Sequence, residues 1–504
     1  MSVRLLFSFD SEDYETPASD DAELWWAELL ARHGAPANVC LVTEEARALA
    51  RRGRRDVLAA WARHEIASHT DLHSAHPTPA EYLDDLAALD REGAFGPAAG
   101  RGAALARLGP WDGGVLAFAA QEGPGIAELA ELFGRRPAAW CKPGNSWGPQ
   151  LCAALPRLGV PVFADAPLEW AAGQPLLYDG VLMLRYHASF DRYFARPEER
   201  AARMRADFEA LMDRHRAAAR DAARLDPHGR TPDAWIVLYT HPCRLLTAEF
   251  PRNFEAGRNP PRDAWQPARL RPPEEVAALR RDCAAFVRWL VAESGAEPAT
   301  YSGVAAAYRH RAVWLTQTDL AALCAAPNED AELLGLDPDR AVPRRAGRTW
   351  LSPAEQLGVL AFAAARHETP PVEVLARPLL GPREAPLSSG PHRASREALV
   401  AAARWTDIYC HEHGAVPAAV PVGQGAVGPR ALLVGLRALL GDLVRDEVDL
   451  PADPGEVAFA RRPDAAGLRY QATWSIFPAE FQGERLLELH RAQCWTVKPA
   501  LPTR

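Results

Sequence analysis

Over the first 310 residues, short apolar runs alternate with segments of helical period. Val3–Phe9 is apolar and turns acidic at once, which predicts a strand ending in a polar loop. Glu23–Arg32 carries Leu24, Trp25 and Leu29 on one side and predicts a helix. Asn38–Val42 predicts the next strand, Glu44–Arg52 and Asp56–His64 two helices, and Glu65–Ser68 a short strand. The rhythm recurs at Ile126–Phe133, Pro137–Lys142, Leu151–Leu158, Val160–Ala164, Val181–Arg185, Glu198–Arg220 and Trp235–Thr240, and it closes with a helix at Glu274–Ser294 and the segment Tyr301–Tyr308. Strands alternating with helices imply parallel βαβ units, and polar residues placed directly after several strands mark the chemical rim of an α/β barrel.

From residue 311 to 504 the pattern changes to mostly helical segments with proline-rich joints. Ser352-Pro353-Ala354-Glu355 has the form of a capping box, a second helix runs from Ser395 to Gly414, and a third from Gly428-Pro429 to near Gly441. Residues 370–394, rich in Pro, Gly and Ser, predict an exposed connector. No exact internal repeat is visible. The expected organisation is therefore a distorted (β/α) barrel over 1–310, followed by a mainly helical domain over 311–504.

Composition narrows the functional classes. The 504 residues carry a net charge of −8, which argues against a nucleic-acid or anionic-membrane partner. The eight cysteines show no C-x-x-C pair and read as buried reduced thiols. The N-terminal apolar run is too short for a signal peptide, and no run of eighteen apolar residues predicts a membrane span. The expected location is the cytoplasm.

Four segments carry candidate chemistry. Ser8-Phe9-Asp10-Ser11-Glu12-Asp13 places three carboxylates after a strand, where clustered like charges imply a shared proton or cation; read alone, it also fits a solvated loop capping the next helix. His64-Glu65-Ile66-Ala67-Ser68-His69-Thr70-Asp71-Leu72-His73 holds two histidines four apart, which share a side if the segment is helical, and imidazole is a common zinc ligand. Trp140-Cys141-Lys142-Pro143-Gly144-Asn145-Ser146-Trp147-Gly148 predicts a shaped rim loop whose Trp147 can stack on a sugar, or else an ordinary turn with a packing Trp. Ile236–Pro242 delivers His241 to a strand end.

Together, in this order, the four segments resemble the polysaccharide deacetylase family over about residues 1–310. The resemblance implies a metal-dependent hydrolase of C–N bonds on a distorted (β/α) barrel, acting most naturally on an N-acetylated sugar or glycan. It implies Asp10 as catalytic base and His241 as acid, with His69 and His73 as ligands of a divalent ion such as zinc. Ser11 stands where many members have a second aspartate, so the metal carboxylate falls on Glu12, or on Asp13. Lys142, Asn145 and Trp147 become candidate substrate contacts. The family's third motif supplies an arginine that orients the aspartate; here Cys141 occupies that place, and the fourth motif is reduced to Asp165 and Trp170.

Those departures keep two alternatives open: a hydrolase of cyclic amides or ureides, allantoinase-like, on the same barrel, and a non-catalytic glycan-binding protein. The stretch Ala398–Leu440 is weakly similar to pseudomurein-binding repeats, while a helical packing or dimerisation domain, compatible with a homo-oligomer, fits it as well. Gln493–Pro499 is a candidate to dock against the barrel.

Overall fold

The computed structural model describes residues 1–73, 78–95, 100–144, 147–171, 173–194, 199–250, 265–308, 312–325, 329–369, 371–441, 446–455, 457 and 483–503. Its first part contains the strands β1 (Val3–Ser11), β2 (Ala37–Leu41), β3 (Glu65–Ser68), β4 (Ala139–Cys141), β5 (Val162–Ala164), β6 (Leu176–Tyr178), β7 (Val181–Leu184), β8 (Ala188–Ser189), β9 (Ala234–Thr240) and β10 (Ala296–Pro298). Helices α1 (Asp20–Arg32), α2 (Thr43–Arg51), α3 (Arg55–Trp61), α4 (Ala88–Arg91), α5 (Arg101–Ala106), α6 (Gly109–Phe133), α7 (Pro149–Ala154), α8 (Arg200–Ala222), α9 (Pro273–Ala292) and α10 (Tyr301–Ala307) intervene.

The strands form one sheet in the order β8-β9-β1-β2-β3-β4-β5-β7-β6, with β10 beside the start of β1. All pairs along it are parallel except β6 with β7. This sheet cannot be flat. At ~4.8 Å per neighbour, β7 and β8 would lie about 34 Å apart in a plane. Only Arg185, Tyr186 and His187 join them, a reach of at most about 14 Å. The sheet therefore curls until its β7 region approaches β8, giving the barrel-like wall expected from the sequence.

Strand alternation sorts the side chains of this wall. Leu5, Phe7 and Phe9 of β1, with Val39, Leu41, Ile236 and Leu238, pack outward on Trp26, Trp61, Phe208 and Phe286 of α1, α3, α8 and α9. Leu6, Cys40, Ala67, Val162, Leu184 and Val237 point inward, and Tyr301, Val304 and Tyr308 at α10 join them there. Ser8 and Asp10 have the parity of Leu6, so the period of two alone aims Asp10 into the curl.

The second part departs from the mainly helical expectation. It contains β11 (Val313–Thr316), α11 (Gln317–Cys324), α12 (Glu329–Leu334), β12 (Arg344–Ala346), β13 (Thr349–Leu351), α13 (Pro353–Ala364) and β14 (Glu373–Ala376). It continues with β15 (His392–Ser395), α14 (Arg396–His413), β16 (Val420–Val422), β17 (Gly425–Val427), α15 (Pro429–Leu440) and β18 (Glu447–Leu450). Apart from the additional α12 in the first, the two series repeat one plan: an outer strand, helix, hairpin, helix, and a second outer strand closing antiparallel on the first. Strands of three or four residues leave too little alternation to be read, and the duplication shows in topology and helix starts instead. Thr316, Ser352 and Ser395 each cap the following helix, Ser352 with the expected capping box.

The chain then returns to the first part through α16 (Glu484–Gln493) and β19 (Lys498–Pro499), which extends the curled sheet antiparallel to β6. His490 packs on Trp147 and hydrogen-bonds the Tyr178 hydroxyl, Thr496 receives the Asp179 N–H at 2.8 Å, and Lys498 forms a buried pair with Glu355 at 2.7 Å. The expected docking of 493–499 is thus present. Among the described residues no helix is long and apolar enough to cross a membrane, and the eight cysteines are free thiols, all buried except the half-buried Cys324.

Candidate active site

Strand ends supply the site. β1 carries Asp10 and runs on to Glu12; β3 ends one residue before His69; β9 ends one residue before His241. Because β1 lies between β2 and β9, with β3 next beyond β2, these ends stand side by side. The segment from His69 to His73 is a loop, not the helix that would place residues four apart on one side. Thr70 and His73 both have positive φ, 70° and 59°, a conformation non-glycine residues seldom adopt. The loop is held there because its carbonyls at Thr70 and Asp71 accept from Thr43 and Glu44 at 3.1 and 3.0 Å, serving the otherwise unpaired N–H groups that open α2. Thr70 Oγ1 also donates to the His73 carbonyl at 3.0 Å.

This bend turns both rings onto one carboxylate oxygen. Glu12 Oε2 lies 3.0 Å from His69 Nε2 and 2.8 Å from His73 Nε2, and all three groups are buried. His241 Nε2 stands 3.7 Å from Glu12 Oε1 and 3.8 Å from Asp10 Oδ2. Asp10, Glu12, His69, His73 and His241 thus converge from three stretches of chain.

The hydrogen-bonding groups of this cluster call for a proton or a cation between His69 and Glu12. His69 Nδ1 lies 3.2 Å from the Cys141 carbonyl, which only accepts, so Nδ1 carries the hydrogen. A neutral His69 then presents a lone pair at Nε2 to a carboxylate oxygen 3.0 Å away. Two acceptors at that distance need a proton or a positive ion between them. The ligand atoms of Glu12, His69 and His73 lie within 4.8 Å of one another, and two imidazoles with one carboxylate fit a zinc-like ion. Ligand atoms of Asp10, His69 and Cys141 also come within 4.8 Å of one another.

The charges are strongly coupled. Burial raises the Glu12 pKa, but the His73 and His241 charges and hydrogen bonds from His69 and His73 outweigh it and hold the carboxyl well below its usual value. Burial alone disfavours a charged His69; the Glu12 hydrogen bond and the Asp10 charge push it up to about 9. His73 stays below its usual value because burial prevails. For His241 burial is overcome by the charges of Asp191 and Glu12, and its pKa rises to about 10. Asp10 is raised, chiefly by burial.

Two partners at the site were not singled out from the sequence. Asp191 Oδ2 lies 2.5 Å from His241 Nδ1, and Asp191 Oδ1 accepts from Thr240 Oγ1 at 2.6 Å. Its signal is the tripeptide Ser189-Phe190-Asp191, which repeats Ser8-Phe9-Asp10; it went unread because β8 is two residues long. Tyr186 donates to Asp10 Oδ1 at 2.6 Å, and Cys141, in the place expected for arginine, holds Sγ 3.8 Å from the same oxygen.

Asp13, Trp147 and Lys142 have other partners. Asp13 accepts from Thr16 N at 3.0 Å and Ser19 Oγ at 2.6 Å, so both its oxygens serve the turn before α1, and the carboxylate beside the histidines is Glu12. Trp147 is buried against Phe163 and His490, which excludes the exposed stacking platform. Lys142 pairs with Asp165 at 2.8 Å and also donates to the Gly144 carbonyl. Asn145 lies outside the described residues. A cavity of about 210 Å³ opens beside His73, lined by Asp71, Phe95, Arg101, Phe118 and Glu122. Glu122 accepts from Trp140 Nε1 at 3.0 Å, and burial pushes its pKa up to about 8.

No family model matches the chain, and no curated protein matches it. Among solved structures, the chain is similar to a Mycobacterium smegmatis protein assigned as a polysaccharide deacetylase, at 16% identity over 60% of this chain and 89% of that one, TM-score 0.34. It is similar to Puue allantoinase at 14% identity, over 61% and 92% of the two chains, TM-score 0.35. It is also similar to a 4-alpha-glucanotransferase from Thermococcus litoralis, at 10% identity over 60% of this chain and 40% of that one, TM-score 0.36.

Proposed function

We propose that the protein is a metal-dependent hydrolase of C–N bonds that deacetylates an N-acetylated sugar or glycan. The observation that carries this reading is the convergence of His69 and His73 on one oxygen of Glu12, with Asp10 and His241 beside it. Glu12, His69 and His73 would hold the ion, and their donor chemistry suits zinc. A divalent cation there lowers the pKa of water and polarises a carbonyl oxygen. Asp10 takes a proton from the attacking water through Oδ2. His241, kept cationic by Asp191 and oriented through Nδ1, presents Nε2–H to the departing amine. In this reading residues 1–310 form a deacetylase-type catalytic barrel, and 311–504 form an accessory unit that contributes no ligand.

The experiment is a panel of N-acetylated sugars, nucleotide sugars and cyclic ureides, run with wild type, Asp10→Asn and His241→Ala. Acetate release by wild type is expected. Each variant should lose about 10²–10⁴-fold in kcat with its metal retained. The replacement of arginine by Cys141 and Tyr186 beside Asp10 keeps a cyclic-amide substrate as the second reading. Ring opening without acetate would select it. Wild-type turnover in Asp10→Asn would end the mechanism for either substrate.

A further inference from the structure

Asp10 is gripped from below by a chain of hydroxyls and thiols. Tyr186 OH lies 2.6 Å from Asp10 Oδ1, 2.9 Å from Ser8 Oγ and 3.0 Å from Cys141 Sγ; Tyr301 OH lies 2.9 Å from Ser8 Oγ. All five side chains are buried. A phenol has one hydrogen to give, and an ionised carboxylate can only accept. The Tyr186 hydrogen therefore goes to Asp10. Ser8 is left to donate into a lone pair of the phenol oxygen, Cys141 has its one hydrogen for that oxygen or for Asp10 Oδ1, and Tyr301 donates to Ser8, so these hydrogens run toward Asp10. The Tyr186 ring cannot swing away easily. It stacks on Tyr239 with centroids 4.4 Å apart and planes 24° from parallel.

The two oxygens of Asp10 consequently differ. Oδ1 is engaged by Tyr186, while Oδ2 faces His241 Nε2 at 3.8 Å. Among the described residues, the one ion pair that Asp10 makes is that contact with His241. No lysine or arginine shares in its orientation there. We propose that Tyr186 is the positioning residue of the base. Its O–H fixes Oδ1, which turns Oδ2 toward the substrate side as the atom that receives the proton. In the step, a water O–H bond breaks and an Oδ2–H bond forms, the electron pair left on the water oxygen makes the new bond to the amide carbon, the C=O π pair moves onto the carbonyl oxygen, and Tyr186 keeps its own hydrogen throughout. The inference rests on the reading of Asp10 as base.

Tyr186→Phe keeps the ring and its stack and removes only the hydroxyl. It is to be assayed on p-nitrophenyl acetate, whose leaving group departs without a proton, and on any panel substrate that wild type turns over. A misplaced reacting group costs on the order of 10²-fold, so kcat should fall by that order with KM and zinc content unchanged. Unchanged kcat overturns the proposal. A loss of zinc or a raised KM at constant kcat also overturns it, since either marks a structural or binding role. A second measurement needs no turnover. The 19F resonance of 3-fluorotyrosine placed at 186 should move when Asp10→Asn exchanges the carboxylate for an amide, and an unmoved resonance overturns the hydrogen bond. Absence of wild-type turnover on every probe sinks the base assignment, and with it the role of Oδ2, even where the resonance moves.

Discussion

Asp191→Asn separates the orientation of His241 from its charge. The substitution keeps the size of the side chain at 191 and its contact with Thr240, but replaces a carboxylate 2.5 Å from His241 Nδ1 by an amide. Burial disfavours a charged His241, and the charges of Asp191 and Glu12 reverse that, raising its pKa to about 10. Hydrogen bonds to charged groups contribute about 1.5–3 kcal/mol. At ~1.4 kcal/mol per unit, removing this one should lower the His241 pKa by about one to two units. As the proposed acid, His241 would act only while protonated, so activity should be present below its pKa and lost as pH rises through it. The expected result is an alkaline limb of kcat/KM displaced downward by about one to two units. The assay is the pH profile of acetate release, with zinc content measured on the same samples. A bound dication lowers the limb in both proteins and leaves the difference between them. An alkaline limb that does not move would show that His241 is not the proton donor.

Further substitutions follow from the contacts. His69→Ala and His73→Ala should each lose bound metal together with turnover, because each removes one of the three proposed protein ligands; elemental analysis decides, and full occupancy in the double variant would move the ligands elsewhere. Trp147→Ala should destabilise the fold by about 3–5 kcal/mol in urea unfolding without a selective rise in KM, since Trp147 packs against Phe163 and His490 inside the core. Glu122→Gln retains an acceptor for Trp140 and removes a carboxyl whose pKa burial lifts to about 8. With its usual value near 4.5, the folded state holds this proton more tightly than the unfolded one. The cost of Glu122 therefore grows as pH rises from 4.5 toward 8, reaching about 3 kcal/mol at pH 7. The variant should gain stability over wild type as pH rises across that window, and a gain independent of pH would contradict a buried neutral Glu122.

The first part of the fold was legible where its strands are long enough to carry a pattern. β1, β2 and β9 alternate cleanly between the outer helices and the inner wall, and that period alone puts Asp10 inside. The His69–His73 string was legible as a motif, yet its shape was not: the spacing suits a helix, and only the contacts with Thr43 and Glu44 show why a strained loop forms instead. Asp191 and Tyr186 escaped notice for a different reason. Each sits beside a strand of two or four residues, and its role arises from a partner 50 or 176 positions away, His241 for Asp191 and Asp10 for Tyr186. Trp147 reads from the sequence as either a stacking or a packing residue, and the α16 segment that decides for packing arrives from the far end of the chain. The same long-range closure, through β19 on β6, hides the tie between the two parts from any local reading.

In the proposed site one ion sits among Glu12, His69 and His73. Anomalous diffraction at the zinc edge, from crystals equilibrated with zinc, tests it directly. One strong peak is expected within coordination distance of Glu12 Oε2 or Oε1, His69 Nε2 and His73 Nε2, with Asp10 Oδ2 and His241 Nε2 facing it. A peak ligated by other residues, or no peak at these three with zinc in excess, would contradict it.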